Sequence, residues 1–209
     1  ISASDWIAIA PSDLVLMDLA PDAKGSARRV VIQLMPAPFS QGWIGNIRKL
    51  AAAQWWDWTS INRVQDNYVV QWGDATEKKA LPEGLAVVPE SGYKTALERI
   101  FPVDAGPVAG NKDGLPKSAI AEMDRAAMAP KMRDPYSETL FHFAGWPLAG
   151  DFESYWPTHC YGMVGVGRNL SPDTGSGAEL YTVIGHAPRH LDRNIALVGR
   201  VIEGIEHLS

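Results

Sequence analysis

Ser60-Ile61-Asn62-Arg63-Val64, followed after Gln65-Asp66-Asn67 by Tyr68-Val69-Val70-Gln71-Trp72-Gly73-Asp74, is the stretch on which the reading of this chain turns. Two short runs rich in β-branched and aromatic residues flank a turn-prone group, the pattern of extended pieces folded back on each other. That arrangement sets Arg63, Tyr68 and Gln71 on adjacent extended segments. A guanidinium is a rigid five-donor fork that stays charged. Held on a sheet wall beside an aromatic ring and an amide, it presents a fixed donor to a bound peptide. Spacing alone favours the plainer reading, a surface arginine on a strand edge beside a core tyrosine.

On the N-terminal side, Asp13 to Ala20 (DLVLMDLA) and Arg28 to Met35 (RRVVIQLM) read as strands. The turn formers Pro21-Asp22-Ala23-Lys24-Gly25-Ser26 between them predict an antiparallel hairpin. Pro36-Ala37-Pro38 stops the second strand, and Ser40 is placed to cap the next element. From Trp43 to Trp56 the apolar residues Trp43, Ile44, Ile47, Leu50, Ala51 and Trp55 recur at three- and four-residue steps, which gives one apolar helix face. Arg48 and Lys49 fall on the other side.

On the C-terminal side the texture changes. Residues 75–158 hold most of the prolines and few long apolar runs. Ser118 to Met128 is helix-like, Thr139 to Ala144 reads as a strand, and Gly145-Trp146-Pro147-Leu148 reads as strand and turn. A loop-rich span of this length is usually a lid, a binding loop or an insertion. Cys160 to Val166, Glu179 to Ile184 and Ala196 to Val201 are further strands, with a loop over Ser171 to Gly177 and a helix starting at Glu203. Short strands alternating with turns make the pattern of an all-β barrel or sandwich.

Composition narrows the function classes. The 209 residues are 46% hydrophobic and 21% charged, as in ordinary globular chains. Nineteen Lys+Arg against 24 Asp+Glu leave a formal net charge of −5, which argues against a nucleic-acid partner. No apolar run reaches the length of a bilayer span, so no membrane insertion is expected. The single cysteine, Cys160, excludes an internal disulfide. It adjoins His159, but neighbours in a strand point to opposite faces, so Cys160 reads as a structural thiol. His186 and His190 flank Pro188, which breaks a helical metal pair. Gly165-Val166-Gly167 is one glycine short of a dinucleotide fingerprint. Neither a metal nor a cofactor is expected. Eight tryptophans point to core packing, with Trp146 and Trp156 available to extend a binding surface. The chain starts at Ile1 with no recognisable targeting segment. The expectation is a periplasmic or secreted protein after signal-peptide removal, with a cytoplasmic one as the alternative.

Taken in order, these pieces resemble the cyclophilin-type peptidyl-prolyl isomerases, whose signature reads F-H-R-V, four residues, then M-x-Q-G-G-D. Here it reads Ile61-Asn62-Arg63-Val64 and Val69-Val70-Gln71-Trp72-Gly73-Asp74. Arg28 to Met35 is similar to the family's second strand. Trp43-Ile44-Gly45-Asn46-Ile47-Arg48-Lys49-Leu50 resembles its first helix, T-A-E-N-F-R-A-L. Gly162-Met163-Val164-Gly165-Val166-Gly167 resembles S-M-A-N-A-G, and Gly177-Ala178-Glu179-Leu180-Tyr181 resembles G-S-Q-F-F. Leu191-Asp192 and Gly199-Arg200-Val201-Ile202-Glu203-Gly204 are similar to L-D and G-x-V-x-x-G near the family's C-terminus. The resemblance covers about residues 13–74 and 160–208.

The resemblance implies a single domain over residues 1–209. Its expected form is a closed antiparallel β-barrel of about eight strands with two capping helices. Residues 75–158 would be an insertion, and the chain ends in the C-terminal helix where the family adds a last strand. The implied activity is cis–trans isomerisation of X-Pro bonds without a cofactor, on proline-containing peptides or unfolded polypeptides, by a chain expected to be monomeric. Arg63 matches the catalytic arginine. Gln71 matches the glutamine that bonds a substrate carbonyl. Tyr68, Val69, Tyr181 and Leu191 match the wall that receives the proline ring, and Val164 matches a small residue near the pocket for the preceding residue. Glu179 and His190 match groove positions.

Several positions depart from the family. Ile61 and Asn62 replace Phe and His, Tyr68 replaces a pocket Phe, and Val69 replaces Met. Glu179 replaces Gln, where its carboxylate could pair with Arg63. His190 stands where Trp or Phe varies, and Ile195 replaces a His. The alternative reading is a non-catalytic peptide-binding or chaperone module on the same barrel.

Overall fold

The computed structural model of the chain describes residues 7–100, 134–151 and 153–208. In chain order the elements are β1 (Leu14–Leu19), β2 (Arg28–Leu34), α1 (Gln41–Ala52), β3 (Ser60–Gln65), β4 (Val69–Gly73), β5 (Thr95–Ala96) and α2 (Leu97–Ile100). There follow β6 (Thr139–Phe143), β7 (Trp146–Gly150), β8 (Ser154–Pro157), β9 (Met163–Val166), β10 (Leu180–Val183) and β11 (Leu197–Glu203).

Among the described residues a seven-stranded antiparallel sheet runs β1-β2-β11-β9-β10-β4-β3. Val30 and Ile32 of β2 and Val70 and Trp72 of β4 have three strands between them, yet they belong to one buried cluster. The sheet therefore curls around its core into a half-barrel. Among the described residues the closed barrel expected from the sequence does not form, because no strand there pairs β1 with β3 or covers either edge. The intervening strands pair instead with one another, as a second sheet β5-β8-β7-β6.

The helix periodicity is realised in α1, which turns Trp43, Ile44 and Ile47 into the core and leaves Arg48 and Lys49 exposed. Ser40 occupies the N-cap but makes no side-chain cap bond. Asn46 is buried on the same helix. Its amide donates to the carbonyls of Ala86 and Ser176, both at 2.9 Å, and its oxygen accepts from the Ala86 N–H at 2.7 Å. One side chain thus ties the helix to two loops.

The second sheet packs on the same core through Trp146 and Leu148. Its β6–β7 turn, Ala144-Gly145, has positive φ at both residues, the geometry that matches the twist of paired strands. Arg200 of β11 holds this turn by donating to the Gly145 carbonyl at 2.7 Å, with its guanidinium 4.3 Å over the Trp146 ring. Trp146 and Trp156 are buried at 3% and 1% exposure, so neither extends the surface. At the C-terminus β11 continues to Glu203, and the expected helix is a single 3-10 turn, Ile205–His207. The helix expected at 118–128 lies outside the described residues.

Candidate active site

The hairpin β3–β4 carries the site because its register fixes what shares a face. Arg63 lies directly opposite Gln71, and Gln65 opposite Val69. Between Ile61 and Arg63 the ladder shifts by one residue. Such a bulge re-aims side chains. Here Ile61 packs against the core, while Arg63 stays on the outer face. Asn67, with φ of 54°, makes the turn, and the Tyr68 N–H closes it on the Gln65 carbonyl at 3.1 Å.

Across β4 the same face continues onto β10, where Tyr181 lies opposite Gln71 and Val183 opposite Val69. It extends to β9, where Gly165 lies opposite Tyr181. A Cβ at Gly165 would stand 2.3 Å from the Tyr181 ring, so the ring lies flat against β9 only because glycine is there. Val69, Tyr181 and Val183 form a small apolar cluster with Tyr68 and Ile195 packed on it. Tyr68 stacks on His190 with ring centroids 6.3 Å apart and planes 6° apart. His190 and Leu191 sit in a short turn, Arg189–Leu191, beside the cluster. An open depression lined by Arg168, Asn169, Leu170 and Ile195 adjoins it.

Arg63 is exposed, and its Nη2 donates to Gln65 Oε1 at 2.5 Å. Glu179 makes no ion pair with it. The Glu179 carboxylate accepts from Asn62 Nδ2 at 3.3 Å and Gln71 Nε2 at 3.4 Å. Gln71 therefore stands between the guanidinium and the carboxylate.

Behind the apolar cluster runs a buried polar chain. The Tyr181 hydroxyl lies 2.7 Å from His159 Nε2, and His159 Nδ1 lies 2.8 Å from Asp192 Oδ1. The same carboxylate oxygen accepts the His159 backbone N–H at 3.0 Å, and Asp192 Oδ2 accepts from Arg189 Nε at 2.5 Å. Arg189 also donates to Asp134 at 2.7 Å. Burial pushes the His159 imidazole below its ordinary value, outweighing the pull of Asp192 toward the charged form. Burial likewise raises the Tyr181 phenol well above its ordinary value. With the ring neutral, one tautomer satisfies every contact: Tyr181 O–H donates to Nε2, and Nδ1–H donates to Asp192.

A family model for the cyclophilin-type peptidyl-prolyl cis-trans isomerases matches residues 25–209. The chain belongs to the cyclophilin family. Its function is that of an enzyme family that accelerates rotation about X-Pro bonds without a cofactor. Among solved structures it is similar to the cyclophilin AquaCyp293 from Hirschia baltica, at 19% identity with a TM-score of 0.63 over 96% of this chain and 67% of that one. No curated protein matches the chain by sequence.

In this cyclophilin Arg63, Gln71, Tyr68, Val69, Glu179 and Tyr181 come together on or beside one sheet face, with His190 and Leu191 at its margin. Val164 stands apart. It pairs with Thr182 on the inner face and is fully buried in the main core, so its side chain does not reach the site. Sequence reasoning passed over His159, which joins Tyr181 to Asp192. The one available signal was Tyr181 itself, a phenol where the family motif has Phe. A buried hydroxyl requires a partner. Among the described residues there is no cluster of metal-ligating side chains.

Proposed function

We propose that Arg63 and Gln71 carry the isomerase reaction, on proline-containing peptides lying along the outer face of β3, β4 and β10. The amide C–N bond resists rotation by about 18–20 kcal/mol because of its double-bond character. No covalent bond is made or broken, so neither a nucleophile nor a metal has work to do. Rotation costs the proline nitrogen its conjugation and leaves its lone pair available. A guanidinium N–H aimed at that nitrogen stabilises the twisted state more than the planar ground state, which is what catalysis requires.

The observation that carries this reading is the cross-strand pair Arg63–Gln71 beside the Tyr68–Val69–Tyr181 apolar cluster. The cluster receives the ring, Gln71 bonds the substrate carbonyl, and Arg63 leaves Gln65 to meet the nitrogen. Residues 75–158 act in this reading as an insertion, whose described strands pack on the half-barrel core through Trp146 and Leu148. The experiment is an isomerase assay on a short X-Pro peptide, comparing the parent with Arg63→Ala.

A second reading draws on a specific feature. Val69 and Tyr181 are only 4% and 5% exposed, so the recess is shallow. A shallow apolar wall with an exposed arginine also suits a module that holds peptides without turning them. Peptide binding that survives Arg63→Ala, with no isomerase activity in the parent, supports that reading over the first.

A further inference from the structure

We propose that Glu179 makes this site selective for proline peptides that carry a lysine or arginine within two residues of the proline. This rests on the reading of the β3–β4–β10 face as the peptide site. On that face the rows succeed one another along the strands. Val69 pairs with Val183, then Gln71 with Tyr181, and two residues further along the same strands stand Gly73 and Glu179. Two strand residues advance about 6.8 Å, and an extended peptide advances about 3.3–3.6 Å per residue. A chain with its proline on Tyr181 and its backbone on Gln71 thus brings a residue one or two positions away alongside Glu179.

The carboxylate there has no cationic partner among the described residues. Its hydrogen-bond partners are two neutral amides at the long end of the range, Asn62 at 3.3 Å and Gln71 at 3.4 Å. Arg63, the guanidinium of the same face, is turned to Gln65. Glu179 is half-buried, and its placement depends on the opposing glycine. A Cβ at Gly73 would fall 1.9 Å from Glu179 Oε1, so the carboxylate fills the space a side chain would take and lies against the β4 backbone. An anion with weak neutral partners, fixed beside a peptide track and open to solvent on one side, is suited to an incoming ammonium or guanidinium.

The test uses one X-Pro core peptide with Lys, Gln or Glu placed at each of the two positions on either side of the proline. Isomerase kcat/KM is measured for the parent, Glu179→Gln and Glu179→Lys. The expected result is a Lys-over-Gln preference on the order of three- to tenfold in the parent at one or more positions, shrinking as salt is raised. The ratio falls to one in Glu179→Gln and inverts toward the Glu peptide in Glu179→Lys. Parent turnover of the Gln peptide without a Lys preference overturns the selectivity while leaving the isomerase reading intact, and so does a preference that persists in Glu179→Gln. If the parent turns over none of the peptides, the isomerase reading fails. The ratio of Kd values from tryptophan fluorescence titration then decides, and equal Kd for the Lys and Gln peptides overturns the proposal.

Discussion

The Tyr181 phenol donates to Nε2 of His159 across 2.7 Å, and that bond couples the apolar wall of the site to a chain of buried charged groups ending at Asp134. The wall is therefore anchored from behind by polar chemistry, although its front is greasy. His159 has no exposure to solvent, so its two nitrogens have only Tyr181 and Asp192 to satisfy them.

Tyr181→Phe removes the donor and leaves Nε2 buried and unpaired. The expected cost is about 1–3 kcal/mol, the penalty for an unsatisfied buried polar atom. Urea unfolding measures it. A variant as stable as the parent would mean that water or a rearranged ring replaces the phenol.

The pH dependence of stability follows from the same ring. An unfolded histidine titrates near about 6.5, while burial lowers the folded value. Above that pH neither state holds the proton, and the His159 contribution is complete. As pH falls below it, the unfolded chain binds a proton that the folded chain refuses, and stability declines by at most about 1.4 kcal/mol per pH unit. Asp74 and Asp151, both held at about 2, add a further loss at more acidic pH. Their contributions are present above the ordinary carboxylate range and are lost as pH falls from about 4 toward 2. Denaturant titrations at pH 7.5, 5.5, 4.5 and 2.5 should show stability begin to fall below about 6.5 and lose a further contribution below about 4.

Gly165→Ala sets a methyl group 2.3 Å from the Tyr181 ring. The ring must move, at a cost of about 1–3 kcal/mol. Because the ring forms part of the recess, KM for an X-Pro peptide should rise. Unchanged kinetics in a folded variant would remove Tyr181 from the recess.

Asn46→Ala breaks three hydrogen bonds and leaves partly buried backbone groups of two loops without their side-chain partner. A loss of about 2 kcal/mol or more is expected in urea. The site stands on other elements, so specific activity of the folded fraction should hold. A change of less than about 0.5 kcal/mol would show that the loops are held by other contacts.

Much of the sheet was legible in the sequence because β-branched runs bounded by turn formers encode strands locally. Arg28–Leu34, Ser60–Gln65 and Val69–Gly73 sit within two residues of where the pattern puts them. The α1 periodicity likewise reports a face that packing then uses. Closure was not legible, since pairing between β1 and β3 depends on whether intervening strands close the gap, and here they pair among themselves. At the site, Arg63 and Gln71 could be placed because three loop residues join their strands. His159 could not, because its partners lie 22 and 33 residues away and meet it only through the fold. Val164 lies on the core-facing side of its strand, a choice that register makes and spacing does not.

The central claim is that one exposed guanidinium does the chemistry, and Arg63→Ala tests it most directly in a protease-coupled or NMR-exchange assay on an X-Pro peptide. Because Arg63 is exposed on an edge strand, the variant should unfold within about 0.5 kcal/mol of the parent. Its kcat/KM should nevertheless fall by about 10²–10³-fold, the cost of losing one aimed donor. A folded Arg63→Ala protein that isomerises peptides at the parent rate would contradict the account.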